Sequence, residues 1–495
     1  MKRIVFLVLG ITICSLIEGN AQEERPISMS EVMEMAYLNA LDAFKSKRQY
    51  VSSYWEYRSF QAQLLPKIDL SLQPFTFNRS FIQRYDPINN IDVFRQQRNL
   101  NTFGQVSLSQ NIMITGATIF INSSFNRFVN FSENDILQSY NTTPIRIGIN
   151  QPIMAFNELK WQNQTVELEY KRAKKEYLLR REELNIKTIE LFFNWALAKN
   201  GLQIAEENKK TNSRLYEIGK KKYPLGTIQK DDLLTLELET FTANTDLVKA
   251  KQEFQEVTSE LQIFLEIEDV ELFFPELPEV ISGIKIDIEE AYELARKNNP
   301  ELINLDILDI NAARDLDRVL KENRFSLSVN ASYGLNQQSE EFSNAYSNFL
   351  DQQMVSIQFR MPLLDWGEGK GNIQKAKMDK ELADIQNEQT KNEIQQLLKQ
   401  NVNSFNLQKD HVAVALKARE IAQESYKITE KRFLTGKVDL LRLLSARRLW
   451  HKSSQDYIQS LWNYWKFYYS VRKMTLYDFI DRTTLEESFE QLLKD

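Results

Sequence analysis

The chain has one cysteine, Cys14, and it sits in an apolar N-terminal stretch. No disulfide can therefore form within a chain, and packing or association must hold the fold. Glycine and proline are scarce, at 14 and 11 in 495 residues, and most lie outside the long helical tracts. There are only two histidines, His411 and His451, with no partner at ligand spacing, and no nucleophile–base constellation stands out. Catalysis and metal binding have no foothold here, and no cofactor is expected. The formal net charge of −6 lacks the basic excess that nucleic-acid binding requires. Gly367-Glu368-Gly369-Lys370-Gly371 lacks the spacing of a phosphate loop and reads as a strand-to-helix turn. Beyond the N-terminus no run of 18 apolar residues occurs, so any membrane crossing would have to be made by strands.

The N-terminus does carry a signal. Lys2 and Arg3 precede an apolar run from Ile4 to Ile13, and Gly19-Asn20-Ala21 supplies small residues before a cleavage point. Residues 1–21 read as a secretory signal peptide. A lipid-attachment site at Cys14 would require Gly, Ala or Ser before it, and Ile13 stands there.

Internal repetition organises the rest. Ile27–Asp42 aligns without gaps on Ile286–Glu301 at an offset of 259, and Leu65–Leu70 falls on Arg324–Val329. A second block aligns at an offset of 210. It places Gln151-Pro152 on Met361-Pro362, Tyr223–Gly226 on Phe433–Gly436, and Leu233-Leu234 on Leu443-Leu444. Residues 22–285 form a first repeat and 286–495 a second, with 49 extra residues in the first between Pro66 and Pro144. Each repeat reads as helix, strands, very long helix, tip, long helix. The first helices are Ser30–Leu64 and Ile288–Asn323. The long pairs are Glu158–Lys220 with Gln229–Leu265, and Gly369–Phe433 with Val438–Met474. They are rich in Leu, Ala, Glu, Lys and Gln, with apolar residues every three or four positions. A helix of 60 residues would be about 90 Å long, which suits a coiled-coil or tubular assembly.

Between these helices the period changes to two. Ile68, Leu70 and Leu72 alternate with polar residues, as do Ile145, Ile147 and Ile149. So do Phe325, Leu327, Val329, Ala331 and Tyr333, and again Val355, Ile357, Phe359 and Met361. These are strands with one apolar face, about as long as a membrane strand. Phe81–Thr102 and Gln337–Gln353 are polar and read as loops. Residues 103–131 read as an additional hairpin with no counterpart in the second repeat. Four strands cannot close around a water-filled lumen, but several chains can pool them.

The chain resembles the TolC-like outer-membrane efflux protein family, the outer membrane factors. The junctions Gln151–Asn157 and Met361–Gly367 carry the resemblance, with the tips Lys222–Gly226 followed by Asp232-Leu-Leu and Arg432–Gly436 followed by Leu440–Leu444. It implies a membrane α+β fold. A homotrimer would form a twelve-stranded β-barrel, four strands per chain, continuing into a long periplasmic α-helical barrel. It also implies a channel in the outer membrane of a Gram-negative bacterium, extending into the periplasm. A periplasmic adaptor protein and an inner-membrane transporter of RND, ABC or MFS type would complete an efflux or type I secretion system.

By motif, the resemblance places a periplasmic constriction at Asp232, Asp439, Arg442 and Ser445. The family's usual acids six and nine positions after the second tip glycine are replaced by Arg442 and Ser445, which implies mixed charge and weak cation preference. The bland reading pairs Arg442 with Asp232 or Asp439. Adaptor contacts fall at Leu225, Gly226, Thr227, Leu434, Gly436 and Val438, and the strand-to-helix junctions at Pro152, Asn157, Pro362 and Gly367. The competing class is a non-conducting coiled-coil structural protein of the cell envelope, for which alternating strands have no use.

Overall fold

A computed structural model describes residues 25–131, 136–267, 273–281 and 283–493. The signal peptide expected at 1–21 lies outside the described residues.

The chain begins with strand β1 (Arg25–Ser28) and helices α1 (Met29–Asn39) and α2 (Leu41–Gln63). Four strands follow, β2 (Lys67–Asp86), β3 (Ile91–Ile112), β4 (Ala117–Phe131) and β5 (Ile136–Ile153). The first long helical pair is α3 (Glu158–Lys222) and α4 (Lys230–Leu265). Strand β6 (Phe273–Glu276) leads to α5 (Ile288–Asn298) and α6 (Pro300–Glu322). Strands β7 (Ser326–Ser339) and β8 (Leu350–Arg360) precede the second pair, α7 (Glu368–Leu434) and α8 (Leu440–Thr475). Short strands β9 (Tyr477–Asp478) and β10 (Thr483–Thr484) and a turn of helix, α9 (Phe489–Leu492), complete the described chain.

The expected opening helices are each broken in two. In the second repeat the cause is Pro300, which opens α6 and cannot continue the ladder of α5. Asn299 ends one helix and caps the next, accepting the Glu301 N–H at 2.8 Å. In the first repeat Ala40 takes an extended conformation at the equivalent point. The helix starts are built as their sequences direct. Ser28 and Glu31 form a reciprocal capping box, and Asp287 accepts from the Glu289 and Glu290 amides.

The chain divides into two compact units. One comprises Met1–Ala43, Arg181–Lys285 and Asn403–Ser470, and the other Phe44–Arg180, Ile286–Val402 and Val471–Asp495. The first holds both helix tips and a dense aromatic core. Tyr464, Trp465, Tyr468 and Tyr469 are all buried, and Tyr464 and Tyr468 pack on Phe405. The second holds one six-stranded sheet in the order β2-β3-β4-β5-β7-β8. It also holds the C-terminal tail, whose Leu492 packs with Tyr50, Tyr177, Leu178 and Leu476.

The sheet corrects the expected four strands per chain. Of the residues expected to form a loop at Phe81–Thr102, all but the turn at 87–90 are strand, paired from Phe81↔Gln96 to Asp86↔Ile91. The additional hairpin is part of the sheet, because β3 and β4 lie between β2 and β5. Polar side chains on both faces of 96–99 hide the alternation, while backbone pairing with β2, joined by β4 at 98 and 99, makes it a strand regardless.

Candidate functional site

Alternation fixes which residues share a face of the sheet, and register then aligns them across strands. Ile68 pairs with Leu108 and Leu70 with Val106. Leu108 pairs with Ile121, Ile121 with Ile147, and Ile147 with Tyr333. Val329 pairs with Ile357 and Leu327 with Phe359. One face is thus apolar across all six strands, and much of it is bare: Leu72 is 64% exposed and Ile357 67%. The opposite face is largely polar and internally bonded. Ser107 donates to Asn122 at 2.6 Å, and Thr118 to Asn111 at 3.0 Å. Among the described residues strand β2 pairs only with β3, and β8 only with β7, so both outer edges are open.

The junctions are made by Asx side chains. Asn157 accepts the Lys160 N–H at 3.1 Å, capping α3, and donates to the Met113 carbonyl in the β3–β4 turn at 2.8 Å. That bond ties the added hairpin to the start of the long helix. Pro152 lies in β5 opposite Ser328. In the second junction Asp365 accepts the amides of Gly367 at 3.0 Å and Gly369 at 2.9 Å. Those two backbone bonds hold its carboxyl below the usual range. Pro362 lies between β8 and this turn, and Asp365 was not singled out in the sequence.

At the tips, Gly226 and Gly436 adopt φ of +66° and +72°, as a tight turn between antiparallel helices requires. Their amides donate to Tyr223 and Phe433, at 3.0 and 2.9 Å. Leu225 and Thr227 are exposed, and Leu434 and Val438 half-buried. Lys222 donates to the Leu434 carbonyl at 3.2 Å and links the two tips. Behind them Leu215, Leu236, Tyr426, Leu440, Leu443 and Leu444 form a small core.

The charged residues at the tips separate into two roles. Asp439 accepts the Arg442 N–H at 2.8 Å and so caps α8. The Arg442 side chain is exposed and, among the described residues, has no ion pair, and neither has Asp232. The bland pairing of Arg442 with either acid is therefore not found. Ser445 is exposed, one turn further along.

A buried polar network lies deeper. Arg447, 7% exposed, bonds Glu239 at 2.8 Å and also donates to Asn212, whose amide donates to the Glu239 carbonyl at 3.0 Å. It joins α3, α4 and α8. Beside it, burial and the Arg447 charge push His451 down to about 4, and burial pushes Tyr426 up to about 12. No motif in the sequence marks this network. A cation on the apolar side of a helix is its only local sign. Among the described residues no group of three or more His, Cys, Asp or Glu is placed to hold a metal ion.

The long helices also present exposed apolar stripes. Leu407, Val414, Ile421 and Ile428 recur every seven residues on α7, all exposed, and Leu234, Leu238, Phe241 and Val248 line α4. Such heptad spacing is that of a helix seam awaiting a partner. No helix is long and apolar enough to cross a membrane among the described residues.

No curated protein matches the chain in sequence. Solved structures share its fold. The CmeC outer membrane channel of Campylobacter jejuni has a TM-score of 0.64 at 15% identity, over 94% of this chain and 88% of that one. The outer membrane protein VceC of Vibrio cholerae has 0.61 at 12%, over 90% and 95%. The MtrE outer membrane channel of Neisseria gonorrhoeae has 0.58 at 12%, over 90% and 88%. A family model described as outer membrane efflux protein matches residues 116–263 and 291–464, well over half of the chain. The two matched stretches cover β4 and β5 with α3 and nearly all of α4, then most of α5 with α6, β7, β8, α7 and most of α8, and the chain belongs to the outer membrane efflux protein family.

Proposed function

We propose that three copies of this chain form an outer-membrane channel that passively conducts substrates delivered through a periplasmic adaptor by an inner-membrane transporter, in an efflux or type I secretion system. The observation that carries this reading is the sheet. It has an apolar face bare across six strands, a polar face opposite, and two open edges. Lipid covers such a face at no cost, and pairing β2 of one copy with β8 of the next abolishes both edges. Three copies then give eighteen strands, and barrel diameter grows roughly with strand number. The stripes on α4 and α7 support a helical barrel in which neighbouring copies cover them. A non-conducting scaffold would leave the apolar sheet face unexplained.

At the tips, threefold rings of Arg442 and Asp232 would set a mixed field in the narrowest part of the path. Adaptor contact falls on the exposed turn residues around Gly226 and Gly436. Reconstituted protein in a planar bilayer should conduct with weak cation preference in a salt gradient, and Arg442→Ser should strengthen that preference. Strong cation preference, unchanged by Arg442→Ser, contradicts the assignment of the tip; absence of any conductance contradicts the channel.

A further inference from the structure

The apolar face of the β2–β3 hairpin stops abruptly. Ile68, Leu70, Leu72, Phe75 and Phe77 continue one face along β2, with Leu108, Val106 and Leu100 beside them on β3. The next pair on that face is Arg79↔Arg98. Like charges directly opposite one another on a sheet repel. Arg79 is exposed and its guanidinium reaches the Gln96 side-chain oxygen. Neither arginine has an ion pair among the described residues. By contrast, Arg127 on β4 is held by Gln138 at 2.7 Å.

The height of this pair is informative. Ten residues separate Lys67 from Phe77, which is about 34 Å along a strand and about 25 Å across a membrane at the usual tilt. That matches the apolar band of an outer-membrane barrel. Arg79 and Arg98 then fall just beyond its outer edge, at the level of headgroup phosphates. Past them, among the described residues, the hairpin outruns the sheet, whose outermost β3–β4 pair is Arg98↔Phe131. Phe81, Phe94 and Tyr85 follow on the same face, all exposed.

We infer that Arg79 and Arg98 form a binding site for the phosphate of an outer-leaflet glycolipid. The inference rests on the membrane reading of the sheet. Two arginines directly opposite one another in the sheet can offer one phosphate charge-assisted, bidentate hydrogen bonds, and the anion removes their mutual repulsion. Because the site continues the lipid-facing surface, its occupant is a lipid already in contact with Leu72 and Phe77. The aromatic residues beyond the arginines meet the sugar portion of the headgroup.

Full-length protein in mild detergent, offered bis-phosphorylated lipid A and the same glycolipid without phosphates, tests this by native mass spectrometry. The phosphorylated lipid should be retained preferentially. Arg79→Gln with Arg98→Gln should lower its retention about tenfold or more, and Arg79→Gln alone by less. Lys67→Gln, at the far end of the band, should leave it unchanged. Equal retention of both glycolipids, equal retention by the double variant, or a matching loss in Lys67→Gln overturns the site. Displacement by excess inorganic phosphate, with the lipid tail contributing nothing, overturns the lipid assignment. Failure of the membrane reading itself looks different, because neither glycolipid then binds and the protein does not fractionate with outer membranes.

Discussion

Leu72 and Gln73 are neighbours on β2 that face opposite sides of the sheet. Leu72 lies about midway between Lys67 and Phe77, close to the centre of the apolar band deduced from strand length. An arginine placed on a lipid face costs about 2–4 kcal/mol at mid-bilayer and about 0–1 near the interfaces. Leu72→Arg should therefore destabilise the folded protein by about 2–4 kcal/mol, and Ile68→Arg, near the inner edge, by about 1 or less. Gln73→Arg should be close to neutral, because its face meets water. Leu72 is 64% exposed within one chain, so a soluble fold would lose little of its packing on the same change. The assay is unfolding by denaturant in lipid vesicles, followed by the loss of the heat-resistant electrophoretic form. If Leu72→Arg and Gln73→Arg destabilise equally, or Gln73→Arg more, the apolar face does not meet lipid and the reasoning fails.

The other expectations concern the helices. Gly436→Ala places a side chain at φ +72° with nothing within 4 Å to clash, so only backbone strain of about 1–2 kcal/mol is expected, measured as a lowered midpoint in thermal unfolding. A fall well beyond that range would mean that the turn is packed in a way a single chain does not contain. Arg447→Met removes one partner of a buried pair and leaves Glu239, which is about one-third exposed, able to reach water. Glu239→Gln strands the more buried cation and should be the more damaging, by up to about 3 kcal/mol, read as faster amide exchange in α4 and α8. The reverse order would refute the burial argument. His451 is held near 4 against an ordinary 6.5, so the unfolded chain binds more protons between those values. Its contribution to stability is full above about pH 6.5 and is lost as pH falls towards 4. His451→Gln should flatten that part of the stability curve, and an unchanged slope would exclude His451 as its source.

The long helices, the tip glycines and the outer strands were legible because each depends on a local signal. A period of three to four, a period of two, and a glycine between helices all lie within a few residues. The short alternations at Ile68–Leu72 and Val355–Met361 already showed the apolar face. Strand β3 was not legible beyond its end nearest β4. Gln96, Gln97, Arg98 and Asn99 put polar groups on both faces, and only pairing, with β2 throughout and with β4 at Arg98 and Asn99, makes them strand. Asn157 and Asp439 were singled out for other reasons, and their capping bonds give them a local physical role. The Arg447 network was invisible for a different reason. Its partners lie 235 and 208 residues away, and no window of sequence contains them.

The claim on which the rest depends is that β2 of one copy pairs with β8 of the next to close a ring of three. Cys14 is the only cysteine and precedes the expected cleavage point, so cleavage there would leave a cysteine-free background. Cysteines at Leu70 and Val355, on the two open-edge strands, should be scanned with neighbouring pairs to find the matching register. Oxidation in outer membranes should then yield dimers and trimers, with the ladder ending at trimer and no crosslink within a single chain. No crosslink at any register, or a ladder that runs past trimer, would contradict the account.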